Sequence, residues 1–304
     1  MTPPGGLAVV SHDAGGAEVL SSYLRRSRLD HRCVLAGPAL RVFERKLGPV
    51  TVWPLDEAIA RATTVLCGTS WQSDLELQAI RAARAQGTHT IAFLDHWVCY
   101  RERFVRAGET TLPDEFWVAD VMAEAMARAE CPGVPVSVVG NPYFDDLREE
   151  LARTAPRVRR AGDGLSVLYV CEPLGEQARL QYGDERYWGY VEEEALQYCL
   201  ATLETLGHPV AKVTIRPHPA EPAGKYDWAV RGGDRPVTIG GSRTLLAELA
   251  DADVVIGCES MAMVVALLAG KRVISSIPPG GKPCSLPHPE IEHLQRLVAI
   301  EATR

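Results

Sequence analysis

Four short constellations in the sequence carry side chains able to do chemistry. The first is His12-Asp13-Ala14-Gly15-Gly16, one residue (Ser11) after the apolar run Leu7-Ala8-Val9-Val10. Two adjacent glycines let a backbone come close to a ligand and expose N–H groups where a helix starts. A plain strand-to-helix turn would use the same glycines. The pattern is not G-x-G-x-x-G, and no acidic residue follows a second strand at the spacing a ribose needs, so dinucleotide binding has little support. The second is Asp95-His96-Trp97, with Tyr100-Arg101-Glu102-Arg103-Phe104 after it. A carboxylate at that place can take a proton from a hydroxyl, and a neighbouring imidazole can orient it or share the proton. The competing use is a capping Asp beside a packed His.

The third constellation is Arg216-Pro217-His218-Pro219. Two prolines stiffen the backbone around one imidazole. A fixed His beside an Arg suits the oxygens of a phosphate or diphosphate, although a rigid surface turn has the same composition. The fourth is Gly257-Cys258-Glu259-Ser260-Met261. A hydroxyl at a helix start is an N-cap, and with the free backbone amides it can bind an anion as well. Ser275-Ser276 and the Gly280-Gly281-Lys282 turn form a matching loop further on. Asp145-Asp146 starts a helical run, where acids favour the helix dipole, and no metal site is expected there.

These residues need a scaffold that places them at strand ends. Residues 7–10, 31–36, 64–67, 88–94, 116–119 and 134–139 read as strands, with helices over 18–26, 75–85 and 121–129. A basic, Pro- and Gly-containing stretch at 151–164 reads as a linker. Beyond it, strands are expected over 165–170, 211–215, 237–239, 253–256 and 272–275. Helices are expected over 187–206, 243–250, 261–269 and 290–299. Strands alternating with helices imply βαβ units and parallel sheets, whose ligands bind beyond the carboxyl ends of the strands.

Composition agrees. A chain of 304 residues suggests about two domains, and 46% hydrophobic with 23% charged residues is ordinary for a globular protein. The formal net charge of −7 removes a broad basic surface for nucleic acid. Eight dispersed cysteines without a CxxC pair read as reduced, buried thiols of a cytoplasmic protein rather than as zinc ligands or a disulfide framework. No apolar stretch reaches the roughly 20 residues that a membrane helix needs, and the N-terminus lacks a basic targeting region.

The second half resembles bacterial sialyltransferases and polysialyltransferases of the GT-B type, with the related Kdo transferases and CDP-glycerol glycerophosphotransferases. Arg216-Pro217-His218-Pro219 is similar to their His-Pro motif, and Glu259-Ser260 to their Ser/Thr motif at a later helix start. In those families both motifs hold the phosphate of a CMP- or CDP-linked donor. Val167-Leu168-Tyr169-Val170-Cys171-Glu172-Pro173-Leu174 resembles the opening strand and loop of the donor domain, which adds Glu172 to the expected donor set. Asp95 falls where the sialyltransferases place the general base of an Asp/Glu-Asp/Glu-Gly motif. This chain has Asp95-His96-Trp97 there, and His96, His12 and Asp13 stand as rival bases.

The expectation is an α/β protein of two Rossmann-like, GT-B-like domains facing each other across a cleft, residues 1–155 on the acceptor side and 156–304 on the donor side. It would be a metal-independent glycosyltransferase using a nucleotide-activated sugar, CMP-linked by preference, with an acceptor that is a small molecule or a glycan. The expected catalytic set is Asp95, His96, Asp13 and His12. The expected nucleotide-binding set is Gly15, Gly16, Glu172, Arg216, His218, Pro219, Glu259, Ser260 and Met261. No cofactor is expected, since the nucleotide sugar is itself a substrate. A nucleotide-sugar hydrolase or epimerase acting on a UDP-sugar is the alternative of the same fold, and a non-catalytic sugar-nucleotide-binding protein is a further one.

Overall fold

The computed structural model describes residues 6–71, 73–154, 163–231, 236–301 and 303. The chain divides into two compact units, Met1–Asp146 and Leu147–Arg304. Part of the stretch read as a linker belongs to a helix that ends at Arg153. Its residues 155–162 lie outside the described residues.

Unit 1 opens with β1 (Leu7–Ser11), α1 (Ala14–Ser27), β2 (His31–Leu35), α2 (Pro38–Leu47), α3 (Leu55–Ala60), β3 (Thr64–Cys67), α4 (Leu75–Ala85) and β4 (His89–Leu94). A short hairpin, β5 (Val105–Arg106) and β6 (Glu109–Thr110), precedes β7 (Glu115–Val118), α5 (Val121–Glu130), β8 (Val136–Val138) and α6 (Pro142–Arg153). The sheet is six-stranded in the order β2-β1-β3-β4-β7-β8, and its strands pair in parallel among the described residues. Its central strands read as apolar runs because both faces are covered: all residues of β1 and β3 are buried. Strand order reverses at β1, which pairs with β2 on one side and β3 on the other. A crevice opens at such a reversal, beyond the carboxyl ends of β1 and β3.

Helix α1 begins at Ala14, earlier than the expected start at residue 18. Gly15 and Gly16 therefore lie in its first turn rather than in a loop. Helix α2 escapes the sequence pattern because only Ala39 and Phe43 on it are buried.

Unit 2 comprises β9 (Leu165–Val170), α7 (Leu174–Tyr182), α8 (Glu192–Ala201), β10 (Val210–Arg216), α9 (Asp227–Arg231) and β11 (Val237–Ile239). It continues with α10 (Leu245–Asp251), β12 (Val254–Gly257), α11 (Met261–Leu268), β13 (Arg272–Ser275), β14 (Ile291–His293) and α12 (Leu294–Glu301). The order is β11-β10-β9-β12-β13-β14, again with parallel pairing among the described residues. Counted within the unit this is the 3-2-1-4-5-6 arrangement of doubly wound dinucleotide-binding folds. Its switch point lies between β9 and β12.

Two expected helices are corrected here. The stretch 187–206 is not one helix. Gly189 takes φ +84°, and a Cβ on it would meet the Gly280 carbonyl oxygen at 2.6 Å, so helix α8 starts only after Val191. The stretch 290–299 opens as a strand, because Ile291 pairs with Val273 at the sheet edge. Each unit has its own core, built around Leu7, Val9, Leu20 and Phe43 in unit 1 and around Val167, Tyr169, Val213 and Ile256 in unit 2. All eight cysteines are free, and burial pushes the Cys33 and Cys199 thiols up to about 12. Among the described residues no helix is long and apolar enough to cross a membrane.

Candidate functional site

The loop between β1 and α1 is fastened to the loop after β3. Asp13 stands at the N-cap position of α1 but makes no cap bond to the helix. Its Oδ1 instead accepts the Ser70 hydroxyl at 2.7 Å, and its Oδ2 accepts the Trp71 amide at 3.1 Å. Oδ1 also lies 2.7 Å from Nδ1 of His12. A carboxylate on Nδ1 fixes the ring's orientation and leaves Nε2 as its working nitrogen. The His12 amide donates to Oε1 of Glu76 at 2.7 Å. Glu76 is buried on α4, and that burial pushes its carboxyl up to about 7.

Asp95, just past β4, is gripped on one oxygen. Its Oδ1 accepts from Nη1 of Arg103 at 3.1 Å and from the Thr69 hydroxyl at 3.3 Å. The same Nη1 donates to Thr69 at 2.7 Å. The other oxygen, Oδ2, lies over Gly15, where a Cβ would come within 2.2 Å of it. Gly16 packs on Gly68 at the switch point, and a Cβ on Gly16 would stand 3.2 Å from the Gly68 Cα. The glycine pair therefore makes room for Asp95 and for the approach of β3's loop, which gives both residues a defined job.

His96 turns its Nδ1 to the Trp97 amide at 2.9 Å. Trp97 and Tyr100 are buried, and the indole N–H of Trp97 reaches Asp120, which caps α5. The aromatic part of this stretch is packing. Unit 1 thus gathers His12, Asp13, Gly15, Gly16 and Asp95, and it adds Thr69, Ser70, Glu76 and Arg103. Arg103 comes from a single 3-10 turn, Glu102–Phe104, too short for any periodicity to mark. Glu76 does leave a trace: it is an acid on the apolar face shared by Leu77, Ala79, Ile80 and Ala83.

In unit 2, Glu172 crosses the switch point. Its Oε1 accepts the amides of Cys258 at 3.2 Å and Glu259 at 2.9 Å. Burial pushes this carboxyl up to about 8. Two amides that an anion at the start of α11 would use are therefore already filled by an internal acid. Ser260 caps α11, its Oγ accepting the Ala262 amide at 3.2 Å, ahead of Met261 as the first helical residue. Glu259 holds the Ser285 amide at 3.0 Å and hydroxyl at 2.8 Å. Arg216 is engaged by buried Glu248 at 2.7 Å and by the Arg243 carbonyl at 3.0 Å.

The His218 loop is held from below. Its amide donates to Oε2 of Glu221 at 2.8 Å, and its Nδ1 accepts the Ala220 amide at 3.2 Å across Pro219. An amide can only donate, so the neutral ring carries its proton on Nε2. Burial pulls the His218 pKa below its ordinary value, outweighing the pull of Glu221, so the neutral form prevails near pH 7. Lys225 donates to Oε1 of Glu221 at 3.0 Å and also bonds Glu192. Glu192 in turn accepts the Gly175 amide of α7 at 2.8 Å. One ammonium thus ties the loop after β10 to the start of α8 and, through Glu192, to the first turn of α7. Glu192 and Lys225 are not legible as site residues, since the two lie 33 positions apart in sequence.

No family model matches the chain, and no curated protein matches it in sequence. Solved structures do match in fold. The UDP-GlcNAc 2-epimerase of Methanocaldococcus jannaschii aligns at TM-score 0.61 and 11% identity, over 97% of this chain and 92% of that one. A putative UDP-N-acetylglucosamine 2-epimerase of Listeria monocytogenes aligns at 0.57 and 12%, over 98% and 87%. The glycotransferase of kitacinnamycin aligns at 0.55 and 15%, over 99% and 91%. At these identities the likeness is one of fold, and the two Rossmann-like units define a fold of the GT-B type.

Proposed function

We propose that the chain is a metal-independent glycosyltransferase that uses a nucleotide-activated sugar, CMP-linked by preference. The observation that carries this reading is Asp95, a carboxylate braced on one oxygen by Arg103 and Thr69, with its second oxygen over Gly15 at the end of β4. Oδ2 takes the proton of an acceptor hydroxyl as that oxygen bonds to the anomeric carbon of the donor. The bond from the anomeric carbon to the phosphate oxygen breaks, and the nucleotide leaves with the electron pair. His218 donates its Nε2–H to the departing phosphate, and the start of α11 at Ser260 and Met261 serves the same charge. Arg216 is engaged by Glu248, so it acts by holding the end of β10 in place.

A second reading has its own support. His12 and Asp13 form an imidazole–carboxylate pair, and the fold neighbours include a UDP-GlcNAc 2-epimerase and a protein described as a putative one. In that reading His12 moves the proton and the chain acts on a UDP-sugar without an acceptor.

Thermal shift with CMP, CDP, UDP and NAD tests the nucleotide: CMP or CDP should stabilise the protein, and no response to any nucleotide rejects both readings. Asp95→Asn should keep nucleotide binding and lose transfer, by about a hundredfold or more. Turnover of a UDP-sugar without acceptor, lost in His12→Ala and kept in Asp95→Asn, would favour the epimerase or hydrolase.

A further inference from the structure

We propose that the cavity between strand β10 and helix α10 of unit 2 is a second anion site, which takes a small tetrahedral oxyanion of the phosphate class. Its central residue, Lys212, lies about 13 Å along β10 from Arg216 at the strand end. The site is therefore separate from the residues assigned to the nucleotide, and it stands whether or not the chain uses a nucleotide sugar.

Strand β10 lies inside its sheet, between β11 and β9. Parallel sheets are covered on both faces, so an interior strand is expected to be apolar on both. β10 is apolar on one face only. Val213 and Ile215 are buried, whereas Lys212, Thr214 and Arg216 alternate with them and are only partly buried. The helix packed on that polar face, α10, has seven residues. Beside it remains a cavity of about 160 Å³, well above the roughly 10–15 Å³ that one water needs. Ser166, Lys212 and Thr214 line it from the sheet, and Arg243, Glu248 and Asp251 line it from the other side.

The charges that line the cavity are paired, with one exception. Glu248 accepts from Nη1 of Arg216 at 2.7 Å and from the Gly241 amide at 2.7 Å. Arg243 donates to Asp251 at 2.6 Å. Lys212 has no hydrogen bond or ion pair among the described residues, so its ammonium leaves one positive charge unbalanced. Ser166 is the register partner of Lys212 on β9. It is 3% exposed, and its amide is fixed on Asp253 at 2.8 Å, a carboxylate that lies in the field of Lys271. The Ser166 hydroxyl bonds no protein group among the described residues. A buried hydroxyl without a partner costs free energy until a ligand or water bonds it.

These groups select the ligand by charge and by shape. An unbalanced ammonium attracts an anion, and a neutral ligand would leave it unmatched. Neighbouring strands are about 4.8 Å apart, and Thr214 stands about 7 Å beyond Lys212 on the same face. The ammonium and the hydroxyls of Ser166 and Thr214 thus border one patch the size of a phosphate. The Thr214 hydroxyl is only 3.5 Å from that of Thr238, too long a contact to occupy it. Three donors from separate backbone positions match an ion with oxygens on every side, whereas a flat carboxylate would engage two of them. The net charge of −7 repels anions at large, so an anion held here is held by these local donors.

The test is isothermal titration calorimetry on the full chain at constant ionic strength, with inorganic phosphate, methyl phosphate and acetate as probes. Inorganic phosphate or methyl phosphate should bind, and acetate should bind about tenfold more weakly or not at all. Lys212→Met should weaken phosphate binding about tenfold or more, Ser166→Ala about threefold, and Lys212→Arg should keep most of it. His218→Ala, altered at the strand ends, should bind phosphate as the unaltered chain does. Circular dichroism and the urea midpoint report that each variant folds, and Ser166→Ala keeps the test decisive if Lys212→Met does not. Tighter binding of methyl phosphate would assign the site to a phosphate ester, and tighter binding of inorganic phosphate to the free ion. Binding of neither, acetate binding as tight as phosphate, or binding that Ser166→Ala and a folded Lys212→Met leave intact would each overturn the site. So would phosphate binding lost in His218→Ala, which would place the anion at the strand ends.

Discussion

Gly15 shows how much one missing side chain can decide. A methyl group there would stand 2.2 Å from Oδ2 of Asp95, far inside contact, and the carboxylate would have to leave the bonds it makes to Arg103 and Thr69. Gly15→Ala should therefore lower transfer by about tenfold or more while leaving nucleotide binding intact, measured as kcat against the CMP thermal shift. Glu172 and Glu76 make a second prediction at this scale. Burial raises both carboxyls above their ordinary value, to about 8 and about 7. Protonation therefore favours the fold. The contribution is fully present below the ordinary carboxyl pKa and is lost as pH rises through about 7 for Glu76 and about 8 for Glu172. Glu172→Gln keeps a carbonyl acceptor for the amides of Cys258 and Glu259 but cannot ionise. Urea unfolding across about pH 6 to 9 should show a shallower loss of stability in Glu172→Gln, by about 1 to 3 kcal/mol. Parallel curves for the two proteins would mean that Glu172 is already ionised.

At the scale of elements, Lys225 joins the loop after β10 to the start of α8 and, through it, to the first turn of α7. It bonds Glu221, which holds the His218 amide, and Glu192, which holds the Gly175 amide at the start of α7. Removing the ammonium leaves those carboxylates facing one another in a buried place. Lys225→Met should cost about 3 kcal/mol of stability. Hydrogen exchange should speed up in peptides containing Gly175 and His218 together, and Lys225→Arg should restore part of both effects. Faster exchange at one loop alone would mean that the ammonium does not couple them. This network also marks where sequence reasoning stops. Strands β1 and β9 are legible because every residue in them is buried, which leaves a mostly apolar run closed by Ser11 in β1 and broken only by Ser166 in β9. The residues that follow β1 are legible for the same reason, so His12 and Asp13 could be picked out, whereas Glu172 enters only through the resemblance of residues 167–174 to a donor-domain opening. Strand β14 is not legible, since its place depends on pairing with β13 and its own residues continue the helical pattern of α12. The bonds of Lys225 and Arg103 are likewise tertiary and leave no periodic trace.

For the whole molecule, both units are wound in the same way but meet the same problem with different residues. Each has a strand reversal at its centre, β1 against β3 and β9 against β12, and each fills it with an acid held by backbone amides or hydroxyls: Asp13 on Ser70 and Trp71, Glu172 on Cys258 and Glu259. The difference lies beside those acids. Unit 1 adds Asp95 with Arg103, which suits proton removal from a hydroxyl. Unit 2 adds His218, whose neutral ring offers an N–H donor, which suits a phosphate. The net charge of −7 is no obstacle, because a few fixed donors bind a nucleotide without a broad basic field. Hydrogen exchange on the full chain with saturating CMP should then show its strongest protection in unit 2, in peptides covering residues 171–176, 216–222 and 257–262. Binding to the native state at about a hundred times Kd should add about 2.7 kcal/mol, enough to slow exchange clearly in those loops. Protection strongest around residues 12–16 and 68–76 instead would place the nucleotide on unit 1 and reverse the roles assigned to the two units.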